Sequence, residues 1–377
     1  MTEGIHYLDN AATTPVSRKS AAAAQEILAQ EFGNPSSLYG LGISASKRLE
    51  KARAEIAEEM GCLPEELYFT GCGTESNNLA IIGAARARKH WGRKIVVTGY
   101  EHPSVQNTVN SLRNEGFEVT EVMPEDGKVD PSRILAEVGP DTALVAAMYV
   151  NNETGAMIDV PSLAEEVKKI NRRTAVHCDC VQGFMKQKFS FGSVDTASAS
   201  GHKINAPKGV GLLYVRRGFN LERVQFGGGQ ERGLRSGTEN VAFACALAEA
   251  VKEHSDIDGN LGKIKKLRDR LAEGLKSFEN VRINSPADAS PYVLNFSFLG
   301  YRSETVLHFL EERNVYVSSG SACSKGEKSH TLEAMKLPDA AVDSAVRVSF
   351  GLQNTEDDVD ALLSGLREAS EILVRAR

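Results

Sequence analysis

The sequence predicts an α/β protein, with a large domain built on a mainly parallel sheet and a smaller α+β domain after it. Three observations carry this reading. Short continuous apolar runs alternate with amphipathic helical stretches through the first half of the chain, the pattern of strands covered on both faces by crossover helices. After Arg216 the rhythm changes, and Gly227, Gly228 and Gly229 mark a loop before long helical stretches. The chain's 377 residues also exceed the ~100–200 of a single ordinary domain.

The elements follow in order. Ser17–Glu31 and Ser44–Met60 read as helices. Strands are expected at Leu67–Thr70, Lys94–Thr98, Phe117–Val122, Ala143–Val150, Thr174–Cys178, Val194–Ala199 and Val210–Val215. Helices Glu75–His90, Pro103–Arg113 and Ser162–Asn171 fall between them. A helix from about Glu239 to Lys252 resumes after Gly262. Strand Tyr292–Phe298, helix Glu304–Arg313, strand Ala345–Phe350 and helix Glu356–Val374 complete the chain. The expected division is 16–252 for the large domain, and 1–15 with 253–377 for the small one.

Composition excludes several classes. Hydrophobic residues make up 41% and charged residues 25% of the chain, values of a globular protein rather than a disordered or fibrous one. Lys and Arg number 44 against 50 Asp and Glu, a net charge of −6, which argues against nucleic acid as a partner. The longest apolar run, Ala143–Val150, is far short of the ~20 residues that span a bilayer. The first residues lack a basic stretch followed by an apolar one, so a cytoplasmic protein with reduced thiols is expected.

Five segments carry chemistry. In Phe69–Asn78 a strand ends, Gly71 and Gly73 allow a tight turn, and Thr74 is placed to cap a helix. Such a helix start is a phosphate cradle or a plain βα turn. In Ser198–Gly211, Lys203 sits just after a strand, flanked by Ser200 and His202, which can both donate to a phosphate. A lysine used for Schiff-base chemistry must be held off the surface. In Ala175–Gly183, alternation places Cys178 and Cys180 on one face and Asp179 on the other. A buried carboxylate there needs a cationic or N–H partner, such as a pyridinium nitrogen. A metal site at His177, Cys178, Asp179 and Cys180 is the rival reading, disfavoured because consecutive strand residues point to opposite faces. His102 follows a strand end and precedes Pro103, placing it for proton transfer, for stacking on a flat cofactor, or simply at a helix start. Finally, Cys323 lies in a run of small residues, Ser318–Gly326, where an exposed thiol invites a functional reading.

Taken in order, these segments resemble the pyridoxal-phosphate-dependent cysteine desulfurases, and among them the bacterial class that supplies sulfur for iron–sulfur clusters. The resemblance runs nearly end to end. It includes Tyr7–Pro15, Phe32–Ser37, Thr74–Asn77, Glu101–Pro103, Asn151–Gly155, Asp179 to Gln182, Ser200–Lys203, Glu231–Thr238, Ser318–Cys323 and Val346–Gly351. It implies the aspartate-aminotransferase-like fold of PLP-dependent transferases, a homodimer, L-cysteine as substrate, and a sulfur-acceptor protein such as an iron–sulfur scaffold or a tRNA-thiolation carrier. It implies that Lys203 holds pyridoxal 5'-phosphate covalently and shuttles the Cα proton, that Asp179 pairs with the ring nitrogen, and that Gln182 bonds the ring hydroxyl. His102 would stack on the ring and act in proton transfer. Gly73, Thr74, Ser200 and His202 would bind the phosphate, and Thr238 would reach the phosphate in the partner subunit. Asn152 and Arg347 would hold the substrate carboxylate, and Cys323 would be the nucleophile that carries sulfur as a persulfide.

The match has departures. The stretch from Cys323 to Arg347 is short for this class, and Ile204–Pro207 replaces the usual aromatic-and-glycine continuation after the lysine. Cys178 and Cys180 stand where small or apolar residues are usual, and core packing accounts for them. Three alternatives share or keep the fold: a selenocysteine lyase or sulfinate desulfinase, a class V aminotransferase with no need for Cys323, and a non-catalytic sulfur-transfer scaffold.

Overall fold

The computed structural model describes residues 4–125, 127–319 and 329–375. These fold into a seven-stranded sheet, a four-stranded sheet and a two-stranded ribbon.

The chain opens with β1 (His6–Tyr7), α1 (Arg18–Gln30) and α2 (Gly40–Met60). Ser17 starts α1 by accepting from Ser20 N–H at 3.1 Å, and Gly61, at a left-handed φ of 65°, ends α2. The large sheet then builds from β2 (Leu67–Thr70), β3 (Lys94–Thr98), β4 (Glu118–Val122), β5 (Thr142–Met148), β6 (Ala175–Asp179), β7 (Thr196–Ser200) and β8 (Gly211–Val215). Between them run α3 (Gly73–Arg88), α4 (Pro103–Leu112), α5 (Pro131–Ala136) and α6 (Val160–Ile170). The strand order is β2-β8-β7-β6-β5-β3-β4. Only β8 runs against its neighbours, so the sheet is mainly parallel, as the apolar runs predict. Strands β5 to β8 are buried throughout, which is why they read as continuous apolar or small-residue runs.

The second half holds α7 (Val241–Glu253), α8 (Ile257–Leu275), β9 (Val281–Ile283), β10 (Val293–Phe298), α9 (Ser303–Glu311), β11 (Val315–Tyr316), β12 (Ser318–Ser319), α10 (His330–Ala334), α11 (Asp339–Asp343), β13 (Ala345–Ser349) and α12 (Glu356–Ile372). Helix α8 begins before the expected Gly262, because the Asp256 side chain caps it through Gly259 N–H at 3.0 Å, and Gly259 and Gly262 are tolerated in its first turns. Strands β12-β13-β10-β9 form the smaller sheet, and β1 pairs with β11. The main core of the large sheet is drawn from residues 27 to 251, whereas the small sheet packs Leu8 with residues 264–369, among them Phe296, Phe298 and Leu362. On this separation of cores we propose domain boundaries at 16–252 and at 1–15 with 253–377.

A buried ion pair fixes the loop after β8. Both guanidinium nitrogens of Arg53 on α2 reach Glu231, at 2.8 and 2.7 Å, and Glu231 also accepts from Phe69 N–H at 2.9 Å. Glu231 and Arg232 both take positive φ, 43° and 54°, an uncommon conformation for residues with side chains that needs such support.

Candidate active site

A cavity of about 670 Å³ lies at the carboxyl ends of the parallel strands, where open α/β sheets gather their ligands. Strand β7 ends at Ser200 and turns at once through Gly201–Lys203. This delivers the Lys203 side chain into the cavity. Its Nζ donates to the carbonyls of Ala11 and Ala12 at 2.6 and 2.7 Å. The residues after the lysine find their own solution: Asn205 adopts φ 66°, which asparagine tolerates, and its side chain donates to Pro15 carbonyl at 2.8 Å.

Asp179 ends β6 and is buried. Its Oδ1 accepts from Val181 N–H at 2.9 Å and its Oδ2 from Asn77 Nδ2 at 2.8 Å. Gln182, three residues on, donates to Ala11 carbonyl at 2.9 Å. His102 is the N-cap of α4, with Pro103 in the first turn. Its ring lines the same cavity, and burial is the main cause holding it below its ordinary pKa, with Asp179 opposing and Lys203 reinforcing.

The phosphate-cradle candidates converge at the start of α3. The expectation that Thr74 caps that helix is overturned: α3 already begins at Gly73, and Cys72 is the N-cap and makes no side-chain cap bond, leaving N–H groups of the first turn unclaimed by a cap. Gly73 is required by close approach, since a Cβ there would sit 2.6 Å from Val181 Cγ2. The Ser200 hydroxyl is buried without a hydrogen-bond partner, and His202 lines the cavity beside it with Nδ1 3.1 Å from Thr13 Oγ1. Burial, then Lys203, Lys208 and Lys186, push His202 down to about 4. A helix N-terminus of sixteen residues, an orphaned hydroxyl and a position with room only for glycine suit a phosphate. Lys203 and Asp179 suit an aldehyde and a protonated ring nitrogen. The residues present therefore fit pyridoxal phosphate.

Arg347 on β13 forms the opposite wall and is 2% exposed. Its Nη2 contacts Asp9 Oδ1 at 2.7 Å, its Nη1 donates to Asn152 carbonyl at 3.2 Å, and its Nε is buried without a partner. Asn152 lines the cavity too. Beside it, Glu153 accepts from Thr331 Oγ1 at 2.9 Å and from Ser329 Oγ. Cys323 lies outside the described residues. The residues flanking it are placed: Ser318 pairs with Arg347 in the sheet, and Ser329 lines the cavity. Thr238 is exposed and does not line this chain's cavity.

Sequence reasoning thus named residues that share one cavity, but it missed their supports. Ala11, Ala12 and Asp9 were quoted only as part of a resemblance. Asn77 stands only inside a resembling motif, His177 is named only in the rival metal reading, and Ser104 and Thr196 receive no role. Cys178 and Cys180 behave as expected of core residues, with sulfurs 3.3 Å apart on the face away from Asp179. The ring nitrogens of His177 face Thr196 and Asn77 at 2.9 Å, so they are engaged in hydrogen bonds rather than turned toward those cysteines.

The family model for aminotransferase class-V matches residues 6–362. The chain belongs to the class-V aminotransferase family. It is 39% identical to a NifS/IcsS protein homolog of Lactobacillus delbrueckii subsp. bulgaricus, over 96% of each chain. It is 36% identical to the cysteine desulfurase IscS of Methanosarcina thermophila, over 96% of this chain and 91% of that one. Among solved structures, this class-V chain resembles a NifS-like protein with a TM-score of 0.92 at 36% identity, covering 97% of this chain and 99% of that one. SspA in complex with cysteine matches with a TM-score of 0.81 at 31% identity, over 93% and 99% of the two chains. The fold is that of the PLP-dependent transferases.

Proposed function

We propose that the chain is a cysteine desulfurase that uses pyridoxal phosphate to convert L-cysteine to L-alanine and passes the sulfur through Cys323. The observation that carries the reading is the opening of Lys203, Asp179, the orphaned Ser200 hydroxyl and Arg347 onto one cavity. When bound there, the cofactor supplies an electron sink for charge developing at the substrate's Cα.

The chain's own residues do the rest. Lys203 holds the cofactor and moves the proton at Cα. Asp179, oriented by the Asn77 amide and the Val181 N–H, presents a hydrogen-bond acceptor to the ring nitrogen. Gln182 bonds the ring hydroxyl. Gly73, Thr74, Ser200 and His202 receive the phosphate. Arg347 and Asn152 receive the substrate carboxylate, and the Asp9 contact on Nη2 holds the guanidinium in one orientation. Thiolate attack by Cys323 forms a sulfur–sulfur bond as the substrate's C–S bond breaks. L-alanine and a Cys323 persulfide result. The placed flanks support that role: Ser318 pairs with Arg347, which lines the cavity, and Ser329 lines it too.

A homodimer accords with the reading. Phe32, Leu38, Tyr39 and Phe226 are exposed apolar side chains, Leu38 at 94%, surface that a partner subunit would cover. In the dimer Thr238 reaches the partner's phosphate site. The sulfur acceptor we propose is a protein of iron–sulfur assembly or tRNA thiolation. Among the described residues no helix is long and apolar enough to cross a membrane, and we place the enzyme in the cytoplasm.

Cys323→Ser tests the function. The variant should keep the cofactor's visible absorption and lose persulfide formation; undiminished sulfide release from L-cysteine would refute the nucleophile. Comparing kcat/KM for cysteine, selenocysteine and cysteine sulfinate separates the desulfurase from lyases of the same fold.

A further inference from the structure

A buried relay of side chains runs from Asp179 to His102, and it decides where protons sit. Asn77 on α3 is its hub. The amide Nδ2 donates to Asp179 Oδ2 and to Ser104 Oγ, each at 2.8 Å. The amide Oδ1 lies 2.9 Å from His177 Nε2, and His177 Nδ1 lies 2.9 Å from Thr196 Oγ1. Ser104 Oγ is 2.8 Å from His102 Nδ1, and Ser104 N–H donates to that same nitrogen at 3.1 Å. Asn77, Ser104, His177, Thr196 and Asp179 are all buried.

The proton positions follow from the chemistry of each group. A carboxylate only accepts, so the part of the Asn77 amide facing Asp179 is its NH2. The amide oxygen therefore faces His177, which must donate from Nε2 and accept from the Thr196 hydroxyl at Nδ1. Burial pushes His177 down to about 4, so this arm stays neutral and keeps its direction at ordinary pH. On the other arm, Ser104 Oγ receives an Asn77 N–H, and its own hydrogen is left for His102 Nδ1. The Ser104 backbone N–H points there as well. A nitrogen that receives two donors has no place for a proton of its own.

We propose that Asn77 is a positioning residue that, through Ser104, fixes His102 as the Nε2–H tautomer, so that the neutral ring offers the cavity a hydrogen-bond donor and no proton acceptor. Its part in catalysis rests on the desulfurase reading, in which proton removal at Cα then falls to Lys203. The tautomer itself does not rest on that reading.

The experiment is nitrogen-15 NMR of histidine-labelled, cofactor-free protein, with His102→Asn used to assign the His102 signals. The wild type should show His102 protonated at Nε2 and bare at Nδ1 at neutral pH. In Asn77→Leu the Ser104 oxygen is released to accept, and the affinity of His102 for a second proton should rise about tenfold, moving its NMR titration up by about one pH unit. A wild-type Nδ1–H signal overturns the proposal outright. An unchanged titration in Asn77→Leu overturns the role of Asn77. Should that variant not fold, the wild-type tautomer still decides the assignment. Failure of the wild type to make alanine from cysteine would sink the desulfurase reading while leaving the NMR result standing.

Discussion

Asp9 Oδ1 stands 2.7 Å from Arg347 Nη2, joining the first turn of the chain to a strand near its end. The contact holds one prong of a buried guanidinium inside the cavity, while Nη1 reaches Asn152 carbonyl at 3.2 Å. A fork held on two sides presents a fixed edge to a substrate carboxylate. Arg347→Lys keeps the charge and loses the fork. It is expected to lower kcat/KM for L-cysteine by about 10–100-fold, the ~1.5–3 kcal/mol of a charge-assisted hydrogen bond, mostly through KM. Steady-state kinetics check this, and an unchanged KM would remove Arg347 from substrate binding.

The Ser200 hydroxyl gives a prediction with two signs. It is buried and unpartnered in the protein alone. Ser200→Ala should therefore leave the melting temperature of cofactor-free protein unchanged or raise it. The same change should weaken pyridoxal phosphate binding by about fivefold, one ordinary hydrogen bond of ~1 kcal/mol. Thermal melts and equilibrium dialysis of one variant measure both arms.

Acid stability follows from buried histidines. Burial pushes both His177 and His254 from 6.5 to about 4, so the unfolded chain binds protons there that the folded protein refuses. Stability is expected to fall as pH drops from 6.5 toward 4. Glu101 acts the other way: burial raises it from 4.5 to about 8, so its contribution falls as pH rises through that window. Two histidines outweigh one carboxyl where the windows overlap, by a net ~1.4 kcal/mol per pH unit, and His202 adds in the same direction. Denaturant melts between pH 4.5 and 6.5 read the slope. In Glu101→Gln the opposing contribution disappears, and the slope should steepen.

The Arg53–Glu231 pair should be costly to break from one side. Arg53 and Glu231 side chains are 3% and 1% exposed, and Glu231→Ala leaves the Phe69 N–H without its partner and the buried guanidinium with only the Leu67 carbonyl and the exposed carboxylate of Glu50. A loss of ~3–5 kcal/mol is expected. The loop that carries Thr238 loses its anchor at the same time. Cofactor retention and dimerisation should therefore drop together; a variant that melts early but binds cofactor normally would separate the anchor from the site.

Local sequence determined a good deal. Buried parallel strands read as apolar runs because both of their faces are covered, and β2 and β3 begin and end where those runs do. Asp179, His102 and Lys203 stand out because each sits at or just past a strand end, where a polar residue has few purely structural reasons to be. The elements missed are the short ones, whose signals are weak: β1, β9, β11 and β12 run two or three residues and α5, α10 and α11 five or six, with β9 mostly exposed and only Ile134 buried in α5.

The supports of the site were decided by tertiary structure. Lys203 meets Ala11 and Ala12 across more than 190 residues, and Asn77 meets Asp179 across 102. No local pattern marks a backbone carbonyl as the partner of a distant amine, or one asparagine of an adjacent pair as the hub of a relay. The sequence by itself set which strands form, which ends carry polar side chains and which family the order of motifs resembles, because periodicity and turn chemistry act over a few residues. Which distant groups hold those side chains, and which atoms keep the protons, was settled by the folded chain alone, because hydrogen-bond direction depends on contacts that exist only after the strands and helices have packed.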